Sequence, residues 1–172
     1  MDKTINVDLK TEEGRKFLWQ VVMKFQPLLI HVAWPCRYWS LFNENMNYSH
    51  RLQELEELRN DERVLVDLGS DLMHHQHQQG RLYLGENVQR SRIWVQPSVE
   101  SVAELPGNLM TQCDAGAYGA EDSQGYPIVK THRWTTNSPA IASELSRRMT
   151  PEQKMYAKPI EGAETEPSGH YC

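Results

Sequence analysis

Three scarcities narrow the reading before any motif is found. Cysteine is rare: Cys36, Cys113 and Cys172 are the only three in 172 residues, an odd number without metal-type spacing. That usage predicts no disulfide framework and points to a reducing compartment. Long apolar runs are absent. The longest, Pro27 to Cys36, carries His31 and falls well short of the ~18–20 residues of a spanning helix. Excess positive charge is missing too. Lys and Arg number 18 against 23 Asp and Glu, for a net charge of −5, which excludes nucleic-acid binding through overall charge. Any such contact must come from a local patch. Met1 is followed by acidic and polar residues, not by the apolar core of a secretory leader. An intracellular protein, nuclear or cytoplasmic, without a membrane partner is the expectation.

What is present is aromatic mass. Five Trp, seven Tyr and three Phe are too many for a solvated chain. The length suits one domain with one core. We place that domain at 1–150. The segment 151–172 is Pro-rich and aperiodic, and reads as a loosely ordered tail.

Residues 5–9, Ile-Asn-Val-Asp-Leu, alternate and read as a strand. Thr11 suits the N-cap of a helix with Glu12 and Glu13 in its first turn. Phe17, Leu18, Val21, Val22 and Phe25 mark one face of it, and Pro27 ends it. Residues 28–34 are nearly continuous apolar, as in a strand covered on both faces. From about Ser49 to Gln79, the residues Leu52, Leu55, Leu58, Val64, Leu65, Leu68 and Leu72 make a helical stripe, closed by Gly80.

Strands follow at 81–84, 109–113 and 128–136, with helices at 98–105 and 138–149. The last is signalled by Ser138 at the N-cap and Pro139 at N1. The order β-α-β-α-β-α-β-β-α predicts an α/β fold with a mostly parallel sheet covered by helices: three-layer, Rossmann-like and truncated.

In such a sheet, ligands bind beyond the carboxyl ends of the strands. Cys36 follows the strand 28–34, and Glu86 follows the strand 81–84. A thiol and a carboxylate on one rim suit a nucleophile and an acid. The plainer readings are a small buried hydrophobe for Cys36 and a capping role for Glu86-Asn87.

The neighbourhoods of both residues resemble DNA cytosine-5 methyltransferases. Trp34-Pro35-Cys36-Arg37-Tyr38-Trp39-Ser40 is similar to that family's Pro-Cys loop, and Glu86-Asn87-Val88 matches its Glu-Asn-Val motif. Tyr118-Gly119, Pro127, Lys130 and His132 resemble its Tyr-Gly-Val-Pro-Gln-x-Arg-x-Arg segment. The likeness is closer still to the methyltransferase-like domain carried by retrotransposons and related mobile elements. Asp8-Leu9, Gly14-Arg15, Gln26-Pro27, Pro35-Cys36, Ser40, Asn47, Gln76, Gly80-Arg81, Glu86-Asn87, Cys113, Gly119, Lys130 and Thr136-Asn137-Ser138 carry it, in order, over residues 5 to about 150.

The resemblance implies a target cytosine turned out of the duplex, attacked at ring carbon 6 by Cys36 and protonated at ring nitrogen 3 by Glu86. It makes Pro35, Ser40, Asn87, Lys130, His132 and Arg133 substrate-binding residues. In the full family the methyl donor is S-adenosylmethionine. No glycine-rich cofactor turn precedes Asp8, so none is expected to be held by this chain. Trp34 and Arg37 also depart from the family's loop, and Lys130-Thr131-His132 replaces an Arg-x-Arg. Expected partners are DNA or RNA, or other proteins of a mobile element. The alternative is a non-catalytic binding module on the same fold.

His74-His75-Gln76-His77 offers no third metal ligand by spacing and reads as a solvated helix end; no metal is expected. Arg90, Arg92, Lys130, Arg133, Arg147 and Arg148 either gather into a basic patch or lie scattered and solvated.

Overall fold

The computed structural model describes residues 7–157. Helix α1 (Glu12–Phe25) starts where Thr11 accepts a hydrogen bond from the Gly14 N–H, and ends at Gln26 in the left-handed region. Strand β1 (Leu29–Ala33), helix α2 (Leu41–Met46), helix α3 (Leu52–Gln78) and strand β2 (Leu82–Val88) follow. A 3-10 turn (Arg92–Val95) then leads into helix α4 (Pro97–Ala103) and strand β3 (Leu109–Asp114). A second 3-10 turn (Ala115–Tyr118) and a loop lead to strand β4 (Thr131–Thr136) and helices α5 (Pro139–Glu144) and α6 (Pro151–Tyr156).

The fold is α/β with a four-stranded mixed open sheet in the order β1-β2-β4-β3. β1 and β2 are parallel, with Ala33 opposite Glu86. β4 runs against both of its neighbours, β2 and β3. The expectation of a mostly parallel ladder is thereby corrected: one reversed strand, inserted between β2 and β3, makes two of the three pairings antiparallel. A loop of 16 residues, 115–130, lets the chain turn back beside β3.

Side chains alternate across a strand, so the register sorts the sheet into two faces. Val32, Tyr83, Gly85 and Thr135 lie on one. Trp34, Val66, Met73, Tyr83, Val99 and Val102 form a buried cluster there, between the sheet and α3 and α4. Val22 of α1 packs with Leu68 and Leu72 of α3 and with Ile30, so α1 covers the same face. Two glycines set the spacing. A Cβ on Gly69 would come within 2.6 Å of the Trp34 Nε1, and one on Gly85 within 2.5 Å of the Met73 Cε. Any larger residue would push helix from sheet.

The other face carries His31, Glu86, His132 and Trp134. It is only part covered. Leu29, His31 and Ala33 are exposed, and the end of α5 reaches this side where Thr111 Oγ1 donates to the Leu145 carbonyl at 3.4 Å. The expected three layers are therefore one full helical layer, the sheet, and a partial cover.

Several boundaries shift. Residues 7–9 are not strand; residues 5–6 of that expected strand lie outside the described residues. The α3 stripe starts late: Leu52 is exposed, and burial falls on Leu55, Val66, Leu68, Leu72 and Met73. The helix expected at 138–149 stops at Glu144, and Arg147 then gives its carbonyl to the Asp114 N–H at the edge of β3. In the expected tail, Thr150 and Gln153 form a capping box that starts α6; residues 158–172 lie outside the described residues.

Candidate functional site

β2 is the central element of the site. It runs through Gly85-Glu86-Asn87 instead of ending before them, because both of its edges are paired. Glu86 therefore lies in the body of the strand, not in a loop. It is 2% exposed, opposite Ala33 on one side and Trp134 on the other. Its Oε1 is bonded to the Nδ1 of His132, itself buried on β4.

Asn87 points to the opposite face and binds the Pro-Cys loop. Its Nδ2 donates to the Trp34 carbonyl at 2.8 Å and the Pro35 carbonyl at 3.4 Å. The Trp34 N–H donates to the Glu86 carbonyl at 3.2 Å, extending the ladder past β1. Beyond it the Cys36 carbonyl accepts from the Trp39 and Ser40 N–H groups at 3.3 and 3.1 Å. Ser40 caps the six-residue α2 by accepting from the Asn43 N–H, and bridges to Ser91. Half-buried Cys36 is thus carried on a turn tied at both ends.

An aromatic row crosses the face that bears Glu86. The Trp134 ring stacks on His31 at 6.0 Å and on His132 at 6.1 Å, with interplanar angles of 29° and 28°. Trp134 Nε1 donates to the Cys113 sulfur at 3.1 Å. Burial raises the Cys113 thiol above its ordinary pKa, outweighing that hydrogen bond, so this cysteine is a packed hydrophobe. His31 and Trp134 were not among the residues singled out from sequence. The signal was available in the parity of Thr131-His132-Arg133-Trp134, which puts the histidine and the tryptophan on one face.

The same parity separates the expected basic residues. His132 joins Glu86, whereas Arg133 lies on the other face, with its guanidinium over the Trp94 ring at 5.5 Å. Arg133 does not share a face with the buried carboxylate, and Lys130 precedes β4 and is part-exposed. The other candidate cations are largely engaged elsewhere. Arg92 pairs with Glu44, Arg147 with Glu144 and Arg148 with Asp114. The scattered arrangement therefore prevails over the patch for these three.

The Arg92 side chain bonds the Glu44 carboxylate and, against the opposing cost of burial, Arg59 reinforces it; the Glu44 pKa is held down at about 2. That carboxylate ties α2 to α3 and to the 3-10 turn.

The histidine run is not a solvated end. His74 bonds Ser101 Oγ at 2.9 Å, His75 meets the Trp19 ring edge-on, and buried Gln76 donates to the Pro27 and Leu82 carbonyls at 3.0 and 2.9 Å. Among the described residues no group of three or more His, Cys, Asp or Glu side chains is placed to hold a metal ion. No helix among them is long and apolar enough to cross a membrane.

In dinucleotide-binding α/β sheets the pyrophosphate sits on a glycine-bearing turn from strand into helix. Neither the turn at 34–40 after β1 nor that at 89–96 after β2 contains a glycine. An open groove of about 520 Å³ between α1 and α3 is lined by Arg15, Lys16, Trp19, Asp67 and Asp71. These residues belong to the helical side of the molecule, not to the face of Glu86. Comparison with known proteins returns nothing: no family model, no curated protein and no solved structure matches this chain.

Proposed function

We propose that this chain is a DNA cytosine-5 methyltransferase-like domain of the mobile-element kind, a truncated Rossmann-like fold that supplies the base-binding part of the site. One observation carries the reading. The Pro-Cys and Glu-Asn motifs, distant in sequence, meet across the parallel β1–β2 pair, where Asn87 holds the loop of Cys36 and Glu86 lies buried within the same strand.

In this reading the Cys36 thiolate adds to ring carbon 6 of an extruded cytosine, forming an S–C bond. Glu86 passes its proton to ring nitrogen 3 and becomes a carboxylate. His132 holds that carboxylate by donating from Nδ1 to Oε1, in place of the substrate-binding role that the resemblance implies for it. His31 and Trp134 offer ring faces for stacking. Carbon 5, now electron-rich, takes a proton from water. Loss of its original proton, return of the nitrogen 3 proton to Glu86 and departure of the thiolate restore the cytosine. The net result is exchange of the carbon 5 hydrogen with solvent. S-adenosylmethionine, when bound in the full family domain, supplies an electrophilic methyl group at that carbon.

The test is deuterium uptake at carbon 5 of cytosine in an oligonucleotide, read by mass spectrometry without methyl donor. Uptake is expected from the native chain, absent in Cys36→Ser and reduced by roughly 100-fold or more in Glu86→Gln, the usual size of a general-acid contribution. DNA binding with no uptake overturns the catalytic reading in favour of a non-catalytic binding module.

A further inference from the structure

We propose that β1 is the interface of a two-fold homodimer, in which the β1 edges of two copies pair antiparallel and join their sheets. This stands independently of the function proposed above.

β1 is an edge strand in the order β1-β2-β4-β3. The Leu82 N–H donates to the Leu28 carbonyl, and the Trp34 N–H donates to the Glu86 carbonyl. These two bonds bracket the parallel ladder, so the backbone groups of Leu28, Ile30, Val32 and Trp34 face β2. Those of Leu29, His31 and Ala33 point off the edge, and no backbone partner meets them among the described residues. Edge strands ordinarily protect themselves with charge, a proline or a bulge. β1 has none of these within it: residues 25–35, Phe-Gln-Pro-Leu-Leu-Ile-His-Val-Ala-Trp-Pro, contain no Asp, Glu, Lys or Arg, in a chain of which 24% is charged. Pro27 and Pro35 bound the strand without interrupting it.

The surface beside this edge is apolar as well. Trp19 and Val22 of α1 pack inward with Ile30. Phe17, Val21 and Phe25, at i, i+4 and i+8, form another stripe of that helix. Phe17 and Phe25 are 41% and 69% exposed, and Leu28 and Leu29, at the start of β1, are 73% and 40% exposed. Of the 14 exposed large apolar side chains among the described residues, five lie between 17 and 29. Such a concentration marks an interaction surface.

The occupant that fits is a second copy. A two-fold axis through His31 sets Leu29 opposite Ala33 of the other copy, and His31 opposite its equivalent. Each of these facing pairs exchanges two backbone hydrogen bonds, using the groups that point off the edge. The same exposed stripe is present on both sides, as an isologous contact requires. The lack of charge matters here, because two copies that each carry −5 already repel, and a neutral contact adds no further repulsion.

The full chain is examined by sedimentation equilibrium. A dimer is expected, dissociating at micromolar concentration or tighter. Leu29→Lys and Ala33→Asp, both at exposed positions, each set an unpaired charge opposite an apolar residue of the other copy and raise the dissociation constant by about tenfold, equivalent to ~1.4 kcal/mol. Circular dichroism confirms that each variant is folded. The double variant Leu29→Lys/Ala33→Asp sets Lys opposite Asp in this register and restores the dimer. A native chain monomeric to about 100 µM overturns the proposal and leaves the edge to another protein. A dimer indifferent to these changes, a double variant that does not recover, or growth beyond dimers overturns it too.

Discussion

The two faces of the sheet are built for different ends. On one, Trp34, Val66, Met73, Tyr83, Val99 and Val102 are closed off beneath α3 and α4, with Gly69 and Gly85 setting the spacing. In that layer Trp34 Nε1 donates to the Val66 carbonyl at 3.2 Å, and the Tyr83 hydroxyl to Asn108 Oδ1 at 3.0 Å. Burial raises the Tyr83 phenol to about 12, so it stays neutral at any working pH. The opposite face gathers a carboxylate, two histidines and a tryptophan around a part-open surface. The first arrangement maximises apolar burial. The second sets the buried Glu86–His132 pair beside the rings of His31 and Trp134.

The largest effect is expected on the packed face. Trp34→Ala removes a ring that is 1% exposed and touches both α3 and the Trp94 ring, and should cost about 3–5 kcal/mol in urea unfolding. A loss below about 1 kcal/mol would erase the distinction between the faces.

Glu86→Ala comes next. It leaves the buried Nδ1 of His132 unpaired, which should cost about 1–3 kcal/mol. Stabilisation instead would mean that the pair is held at the expense of the fold, and would sharpen the contrast. His31→Ala, at an exposed position on the same face, should change stability by no more than about 0.5 kcal/mol while weakening the stacking surface against Trp134. Paired unfolding and oligonucleotide titration separate the two effects.

Acid provides the most local test. The Glu44 carboxyl falls from 4.5 to about 2 on folding. The unfolded chain therefore binds the extra proton first. The stability contributed by Glu44 is present in full above about pH 4.5 and is lost as the pH falls toward 2. Glu44→Gln should flatten that limb when the urea midpoint is followed against pH. A profile unchanged by the substitution would show that Arg59 and Arg92 contribute nothing there.

Local signals were legible where they rest on short-range chemistry. Thr11, the spacing of Val22 with Leu18, and the break at Pro27 mark α1, and the nearly continuous apolar run marks β1, although as an edge strand exposed at Leu29, His31 and Ala33 and not as one covered on both faces. Ser138 and Pro139 open α5 as expected. The site was legible in part. Cys36 and Glu86 were placed at the ends of two strands, and the structure makes those strands parallel neighbours. It moves Glu86 into the strand body, and it gives Asn87 the task of holding the Pro-Cys loop. Nothing local in Gly85-Glu86-Asn87 reads as strand. Those residues extend because β1 and β4 flank them, and the ladder bonds outweigh weak β propensity.

The amino-acid order by itself determined the number and kind of most elements, the charge-free character of β1, and the alternation that puts His132 and Trp134 on one side of β4. These follow from dihedral preference, capping and side-chain period, all confined to a few residues. Tertiary structure alone decided that β4 enters the sheet reversed between β2 and β3, that Arg133 faces Trp94 while His132 meets Glu86, and that β1 takes an edge of the sheet formed by the described residues. Strand order depends on which distant segments exchange backbone hydrogen bonds, and every strand carries the same donors and acceptors. The choice among pairings is therefore made by the packing of the whole sheet against α3 and α4.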